Sequence, residues 1–141
     1  MSKPGPTFLP EVYKLSLTAK DRKGLLEIQG QKLGPPNKRI TLNQKGLKIV
    51  GARIIYSQKN KKVEHQVTRI NHLPSREEVR LHTNSPLYPG SYQIDLEFSP
   101  ADVQALAKLA GKDVEDINLR SFIPSFDRVE AKKNVRLEIE G

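Results

Sequence analysis

The feature that most constrains the fold is an alternation of apolar and polar side chains with a period of two residues. The clearest case runs from Tyr92 to Phe98, where every second residue is apolar. This period puts the apolar side chains on one face of a β-strand. The pattern recurs in segments 12–18, 26–28, 40–42, 47–49, 52–56, 63–69, 79–81, 92–98 and 135–139. Strands this short and this numerous indicate an all-β fold, and we predict an antiparallel β-sandwich.

The phase of the alternation also predicts which side chains point into the core. In each strand the apolar residues of one parity should pack against the opposite layer, and those of the other parity should face solvent. On this basis we expect the following side chains to be buried: Tyr13, Leu15, Leu17, Ile94, Leu96 and Leu137.

One segment departs from the alternation and has the marks of a helix at both ends. Ser99 is a favourable N-cap, and Pro100 would occupy the first helical position, where its missing N–H does no harm. Gly111 can adopt the left-handed conformation that ends many helices. The sequence therefore predicts one α-helix inserted near residues 100–110. Its polar face is not basic, which argues against a membrane-surface helix.

Length and composition suggest a simple organisation. A chain of 141 residues suits one domain, which we place at 11–141, after a Pro- and Gly-rich flexible tail at 1–10. There is no cysteine, which fits a reducing compartment. No apolar run is long enough for a membrane span, and the first residues do not resemble a signal peptide. We expect a cytoplasmic protein that does not interact with membranes.

The chain is basic, with a formal net charge of +8 and a pI near 9.8, but the charge is not clustered. Its densest run, residues 59–62, precedes Val63 and Glu64 and reads as the solvated tip of a hairpin. Tyr13, Tyr92 and Phe98 are in phase with core aliphatic residues, so they are poor candidates for stacking on bases. Nucleic acid is therefore an unlikely partner.

The residue types that support catalysis are present but not in catalytic patterns. The three histidines, His65, His72 and His82, have no second ligand at helical spacing, and the His-Glu-x-x-His helix of zinc hydrolases is absent. There is no Gly-rich phosphate loop and no nucleophile elbow. We expect no catalytic residue, no metal site and no cofactor.

The segment Ile123-Pro124-Ser125-Phe126-Asp127 resembles the Phe-Pro-Cys-Phe-Asp-Glu-Pro signature of a known domain. Two further stretches agree in order: residues 9–17 are similar to Pro-x-x-Tyr-x-Leu-x-Leu, and residues 86–94 to Leu-x-x-Gly-x-Tyr-x-Leu. The domain is the N-terminal, saddle-like β-domain of M1-family zinc aminopeptidases and their leukotriene A4 hydrolase relatives. The resemblance covers nearly the whole chain and implies a β-sandwich.

The departures from this family bear on activity. Ser125 replaces the cysteine of the signature, and the family's zinc helix and exopeptidase motif belong to a following domain that this sequence does not contain. In the family, a Gln-x-Glu before the signature holds the substrate's amino group. Counting back from Asp127 aligns Asp113 and Glu115 with those two positions. The resemblance thus implies a non-catalytic chain with, at most, an amine-binding carboxylate. We expect the matching signature residues to be structural: Arg120, Phe122, Pro124, Phe126 and Asp127.

Three functions remain open. The first is a non-catalytic module that binds a protein or peptide. The second is an N-terminal fragment, or a split-gene subunit, of an M1 aminopeptidase that works with a separate catalytic chain. The third, based on charge alone, is a basic nucleic-acid-binding β-domain. In addition, the strand at 134–140 should have a free edge, which predicts weak self-association or partner binding there.

Overall fold

A computed structural model describes residues 8–18, 23–99, 119–126 and 135–140. These residues contain nine β-strands and two short 3₁₀ helices, at Pro74–Arg76 and Leu119–Ser121. The strands are β1 (Phe8–Thr18), β2 (Lys23–Lys32), β3 (Asn37–Asn43), β4 (Lys48–Gln58), β5 (Lys61–His65), β6 (Val67–Leu73), β7 (Glu78–Leu87), β8 (Gly90–Ser99) and β9 (Arg136–Glu140).

The strands form two sheets. The larger has six strands in the order β5-β4-β8-β2-β1-β9, and the smaller has three in the order β3-β7-β6. Every neighbouring pair is antiparallel except β1 and β9, which run parallel. The predicted all-β fold is confirmed, and its purely antiparallel character is corrected at this one edge. A parallel neighbour needs a long connection, and β9 follows β8 in the chain only after residues 100–135.

A single core lies between the sheets. Its largest fully buried side chains come from both layers, with Tyr13, Ile54 and Ile94 in the larger sheet and Leu42 and Leu81 in the smaller. The predicted phase is confirmed where it can be checked: Tyr13, Leu15, Ile94 and Leu96 are at most 2% exposed. Leu137 is only half-buried, because β9 lies at the sheet's edge, but it packs against the core. The side chain of Leu17 lies outside the described residues.

Several strands are longer than their predicted segments, among them β2 and β7, and two connections differ from the sequence prediction. Segments 47–49 and 52–56 contribute to one strand, β4, because a bulge between Ile49 and Gly51 restores the pairing with β8. Segment 63–69 is divided at Gln66 between β5 and β6, which belong to different sheets. The alternation cannot reveal such a crossing, since it continues in phase through the residue where the chain changes sheet.

The predicted hairpin tip is confirmed. Lys59 and Asn60 form the turn between β4 and β5, and both lysines that follow are exposed. Lys59 has a φ of 51°, which is in the left-handed region that two-residue hairpin turns require.

Two other predictions fall partly or wholly outside the described residues. Because Phe8 and Pro10 are buried in β1, the boundary drawn between tail and domain at residue 10 lies within the strand. The rest of the predicted tail, 1–7, and the predicted helix near 100–110 are not among the described residues. Within the part of the chain that is described, no helix has the length and apolar character that crossing a bilayer requires.

Candidate functional site

The segment that carries the resemblance, residues 119–126, is tied to the end of β3 by backbone hydrogen bonds. Ser125 and Asn43 form an antiparallel bridge, with Asn43 N–H donating to Ser125 O at 2.6 Å and Ser125 N–H donating to Asn43 O at 2.9 Å. Lys45 N–H donates to Arg120 O at 2.7 Å. The segment thus lies beside the end of β3, which is an outer strand of the three-stranded sheet.

The apolar side chains of this segment enter the core. The Phe126 ring stacks on that of Phe8, with centroids 4.5 Å apart, and the Phe126 N–H donates to the buried Tyr13 hydroxyl at 3.0 Å. Pro124 is buried, and Phe122 is half-buried against the core. All these contacts are packing or hydrogen bonding. A purely structural role for the segment stays a prediction.

Of the charged signature and amine-binding residues in the resemblance, only Arg120 lies within the described part of the chain. The Arg120 guanidinium lies 3.3 Å from the Glu77 carboxylate, and Lys45 lies 3.9 Å from the same group. The ion pair between Arg120 and Glu77 joins the segment to the turn that precedes β7. Asp113, Glu115 and Asp127 lie outside the described residues, so the predicted amine-binding role of Asp113 and Glu115 stays untested.

The outer face of the six-stranded sheet contains a cavity of about 970 Å³. Five adjacent strands, β4, β8, β2, β1 and β9, contribute to it, and Gly51 leaves space where a side chain would stand. Leu25, whose side chain is 49% exposed, supplies apolar surface. The polar residues that line the cavity include Lys14, Glu27, Arg53, Asp95, Glu97 and Glu138.

Charges on this face are mostly paired across strands. Lys14 lies 3.7 Å from Glu27 on β2, and Lys23 lies 3.3 Å from Glu97 on β8. At the β4–β5 side, Arg53 Nε donates to Glu64 at 2.9 Å. This hydrogen bond and the charge of Glu64 raise the pKa of Arg53 above its ordinary value. Beyond these ion pairs the face stays polar, with the Gln31 side chain donating to Ser91 Oγ at 2.7 Å.

Two carboxylates in the cavity form no ion pair within 4 Å among the described residues. Asp95 accepts a hydrogen bond from the Gln93 side chain at 3.0 Å and is opposite Arg53, whose pKa its charge helps to raise. Glu138 on β9 is opposite Lys14, which already pairs with Glu27. The described lining of the cavity is therefore partly apolar and has more carboxylates than cations.

The outer face of the three-stranded sheet is different, because cations gather on it. Arg39 on β3, His82 on β7 and Arg69 on β6 are register partners in one row across the sheet. Arg80 stands two residues before His82 on the same face. We call these four residues the arginine cluster. Desolvation, and then the charges of Arg69, Arg39 and Arg80, lower the pKa of His82 below its ordinary value.

Sequence reasoning missed the arginine cluster. The three arginines are far apart in the chain, and only strand pairing brings them together. Their alternation with the buried residues Ile40, Leu81 and Val79 was a usable signal, since it places Arg39, Arg80 and His82 on exposed faces. Which strands would be neighbours could not be read from that pattern.

The other two histidines make contacts within the fold. His72 Nε2 accepts a hydrogen bond from Ile49 N–H at 3.1 Å and so joins the two sheets. The His65 ring lies 6.4 Å from the rings of Tyr56 and Tyr92. Within the described part of the chain, no three histidine or carboxylate side chains come together in a group that could hold a metal ion.

Comparison of the chain with protein-family models and with curated proteins finds no match. The resemblance to the M1 aminopeptidase domain therefore rests on the sequence motifs alone.

Proposed function

We propose that this protein is a non-catalytic binding module, similar to an aminopeptidase N-terminal domain, that takes a short segment of a partner protein in the cavity of its six-stranded sheet. The observation that carries the proposal is the cavity itself. A volume of about 970 Å³ is large enough for several side chains, and five strands shape it.

The chemistry of the cavity favours a basic peptide. Leu25 offers apolar contact, while the described lining has four carboxylates against two cations, and Asp95 and Glu138 form no ion pair within 4 Å among the described residues. A lysine or arginine side chain, or a peptide amino terminus, would complete these charges. Because the cavity is partly open to solvent, such pairs would contribute more to specificity and association rate than to affinity.

The cavity can be filled without disturbing the fold. A Cβ added at Gly51 would meet only Glu97, at 3.7 Å, and the residue has no positive φ. The variant Gly51→Tyr should therefore fold and occlude the cavity. Val50→Tyr is a matched control, since Val50 precedes Gly51 in β4, is 49% exposed and does not line the cavity.

A displayed library of short random peptides, selected on the immobilised chain, tests the proposal. We expect enriched peptides to be basic, to bind the wild type and Val50→Tyr alike, and to lose binding to Gly51→Tyr. Selection of no peptide, or of peptides that bind Gly51→Tyr equally well, would refute the cavity as the site. Thermal melting of all three proteins establishes that each is folded.

The non-catalytic part of the proposal has its own test. Incubation with aminoacyl anilides, with and without Zn²⁺, should release no chromophore beyond that of a mock preparation. Chelator-sensitive release would show an enzyme instead.

We assign the module to the cytoplasm, because a cysteine-free chain suits a reducing compartment. A selected partner that contains a zinc helix would identify this chain as the subunit of a divided aminopeptidase.

A further inference from the structure

The arginine cluster places three cations around one histidine on the outer face of the sheet. Residues directly opposite in neighbouring strands have Cβ atoms about 5 Å apart, so Arg39 and Arg69, which are both opposite His82, are about 10 Å from each other. Arg80 is within about 7 Å of His82 along β7 and is diagonal to both of the other arginines. The arrangement concentrates positive charge around one point on an exposed face.

Little in the described residues neutralises these cations. Arg80 has one ion pair, at 3.8 Å from Glu78, and no carboxylate of the described residues lies within 4 Å of Arg39 or Arg69. The buried Nε of Arg80 donates no hydrogen bond to any of the described residues. Arg69 Nη2 lies 3.4 Å from His82 Nε2, so this guanidinium contacts an imidazole rather than a carboxylate of the described residues. The cluster thus has donors and positive charge in excess.

We propose that this face binds a phosphorylated segment of a partner protein, with the phosphate held at the row that contains Arg39, His82 and Arg69. Guanidinium groups donate two parallel hydrogen bonds to phosphate oxygens, and a phosphoserine carries close to two negative charges at neutral pH. The inference concerns the other sheet and another chemistry, so it goes beyond the proposed function and can fail independently of it.

The shape of the cluster favours a single phosphate group over a nucleic-acid strand. A bound strand needs a stripe of cations and aromatic rings on which bases stack. Here the cations surround one point, and Glu78 ends the positive region along β7. Apart from His82, no described residue on this face is aromatic: the remainder are Thr41, Asn43, Asn71 and Leu73.

The position of the arginines favours a peptide as the carrier of the phosphate. Arg39 and Arg69 lie on β3 and β6, which are the two outer strands of this sheet. An extended segment that adds to an outer strand places its side chains within about 5 Å of those of that strand. A phosphorylated residue in such a segment would then reach the row that contains His82.

The test uses a pentapeptide, Ala-Ala-phosphoserine-Ala-Ala, and its unphosphorylated form, with binding followed by NMR shifts of the full chain. We expect only the phosphopeptide to bind, to shift the His82 ring signals and to raise the pKa of His82. In the double variant Arg39→Gln/Arg69→Gln its affinity should fall by roughly tenfold or more. The double variant Lys59→Gln/Lys61→Gln loses the same charge at the exposed hairpin tip and should bind as the wild type does.

Binding measurements with other ligands identify the source of the phosphate and can overturn the proposal. Equal affinity for inorganic phosphate would show a small-anion site that does not read a peptide. Tighter binding of oligothymidylate, increasing with its length, would show a nucleic-acid surface. Equal binding of both peptides, or no difference between the two double variants, would remove the cluster as a phosphate site. Gly51→Tyr should leave phosphopeptide binding unchanged, so a failure of the cavity proposal is distinguishable from a failure here.

Discussion

The outer faces of the two sheets rest on one core but arrange their charges in opposite ways. On the six-stranded sheet, Lys14, Lys23 and Arg53 each have a carboxylate on a neighbouring strand. On the three-stranded sheet, Arg39 and Arg69 flank a histidine and have no such partner in the described residues. Cross-strand complementarity is the ordinary way to stabilise an exposed sheet face. Within the described residues, the outer arginines of the smaller sheet lack it, and this difference in charge arrangement is what the substitutions below test.

The same contrast separates two kinds of binding surface. The larger sheet has a cavity, apolar surface at Leu25 and a small excess of negative charge among its described lining residues. The smaller sheet presents a compact positive cluster. The two surfaces would attract ligands of opposite charge, so one chain could hold a basic and a phosphorylated segment at the same time. Substitutions can test this division in order of expected effect.

The largest effect should come from the core that supports both faces. Leu96→Ala removes a side chain that is 2% exposed and should lower the free energy of unfolding by about 2–5 kcal/mol, as cavity-forming substitutions do. Leu25→Ala, on the exposed side of the neighbouring strand, should change it by less than about 0.5 kcal/mol. Chemical denaturation measures both. Similar values for the two variants would show that the inner and outer faces are wrongly assigned.

A smaller loss is expected where segment 119–126 joins the six-stranded sheet. Tyr13→Phe removes the hydroxyl that accepts the Phe126 N–H at 3.0 Å in the buried core. A buried N–H left without its acceptor costs about 1–3 kcal/mol. Denaturation of the variant should show this loss, and hydrogen exchange at Phe126 should become faster. Unchanged stability together with unchanged exchange would show that this bond does not anchor the segment.

Single charge removals should change the melting temperature in opposite directions on the two faces. Arg39→Gln relieves repulsion from the neighbouring arginines and should raise the melting temperature by about 1 °C. Arg53→Gln removes the partner of Glu64 and should lower it. High salt should reduce both changes, since exposed charges are screened. A decrease in both variants would contradict the difference between the faces.

The smallest effect concerns the edge of the six-stranded sheet. β9 is the last strand of that sheet, and its pairing with β1 leaves the other side without a partner in the described residues. We expect weak self-association there, detectable by light scattering only at high concentration and reduced by Val135→Pro. At the opposite edge, the exposed lysines of β5 should discourage such pairing. A monomer at all concentrations in both proteins would contradict the prediction.

The alternation made the strands and the core predictable, because the two-residue period depends only on local geometry. Tyr13, Leu15, Ile94 and Leu96 are buried as their phase requires. The same pattern gave wrong boundaries at Gly51, where a bulge joins two segments, and at Gln66, where the chain changes sheet. Both errors arise because alternation contains no information about which strand pairs with which.

The sites depend on that missing information. Lys14, Arg53 and Asp95 line one cavity because β1, β4 and β8 belong to one sheet, although these residues are far apart in the chain. The arginine cluster is likewise a product of the β3-β7-β6 order. The motif resemblance is centred on segment 119–126, whose described side chains mainly pack against the core.

The most direct test of the contrast is the pKa of His82, measured by NMR titration of its ring signals in the wild type and in Arg39→Gln/Arg69→Gln. Desolvation and the three facing arginines should hold the pKa in the wild type below about 6.5, the ordinary value, and Glu78 lies too far along β7 to compensate. Removal of two arginines should raise the pKa toward that value. If the arginines act on His82 as described, the pKa of His82 will be lower in the wild type than in the double variant. A wild-type pKa at or above about 6.5 that does not change in the double variant would contradict the account.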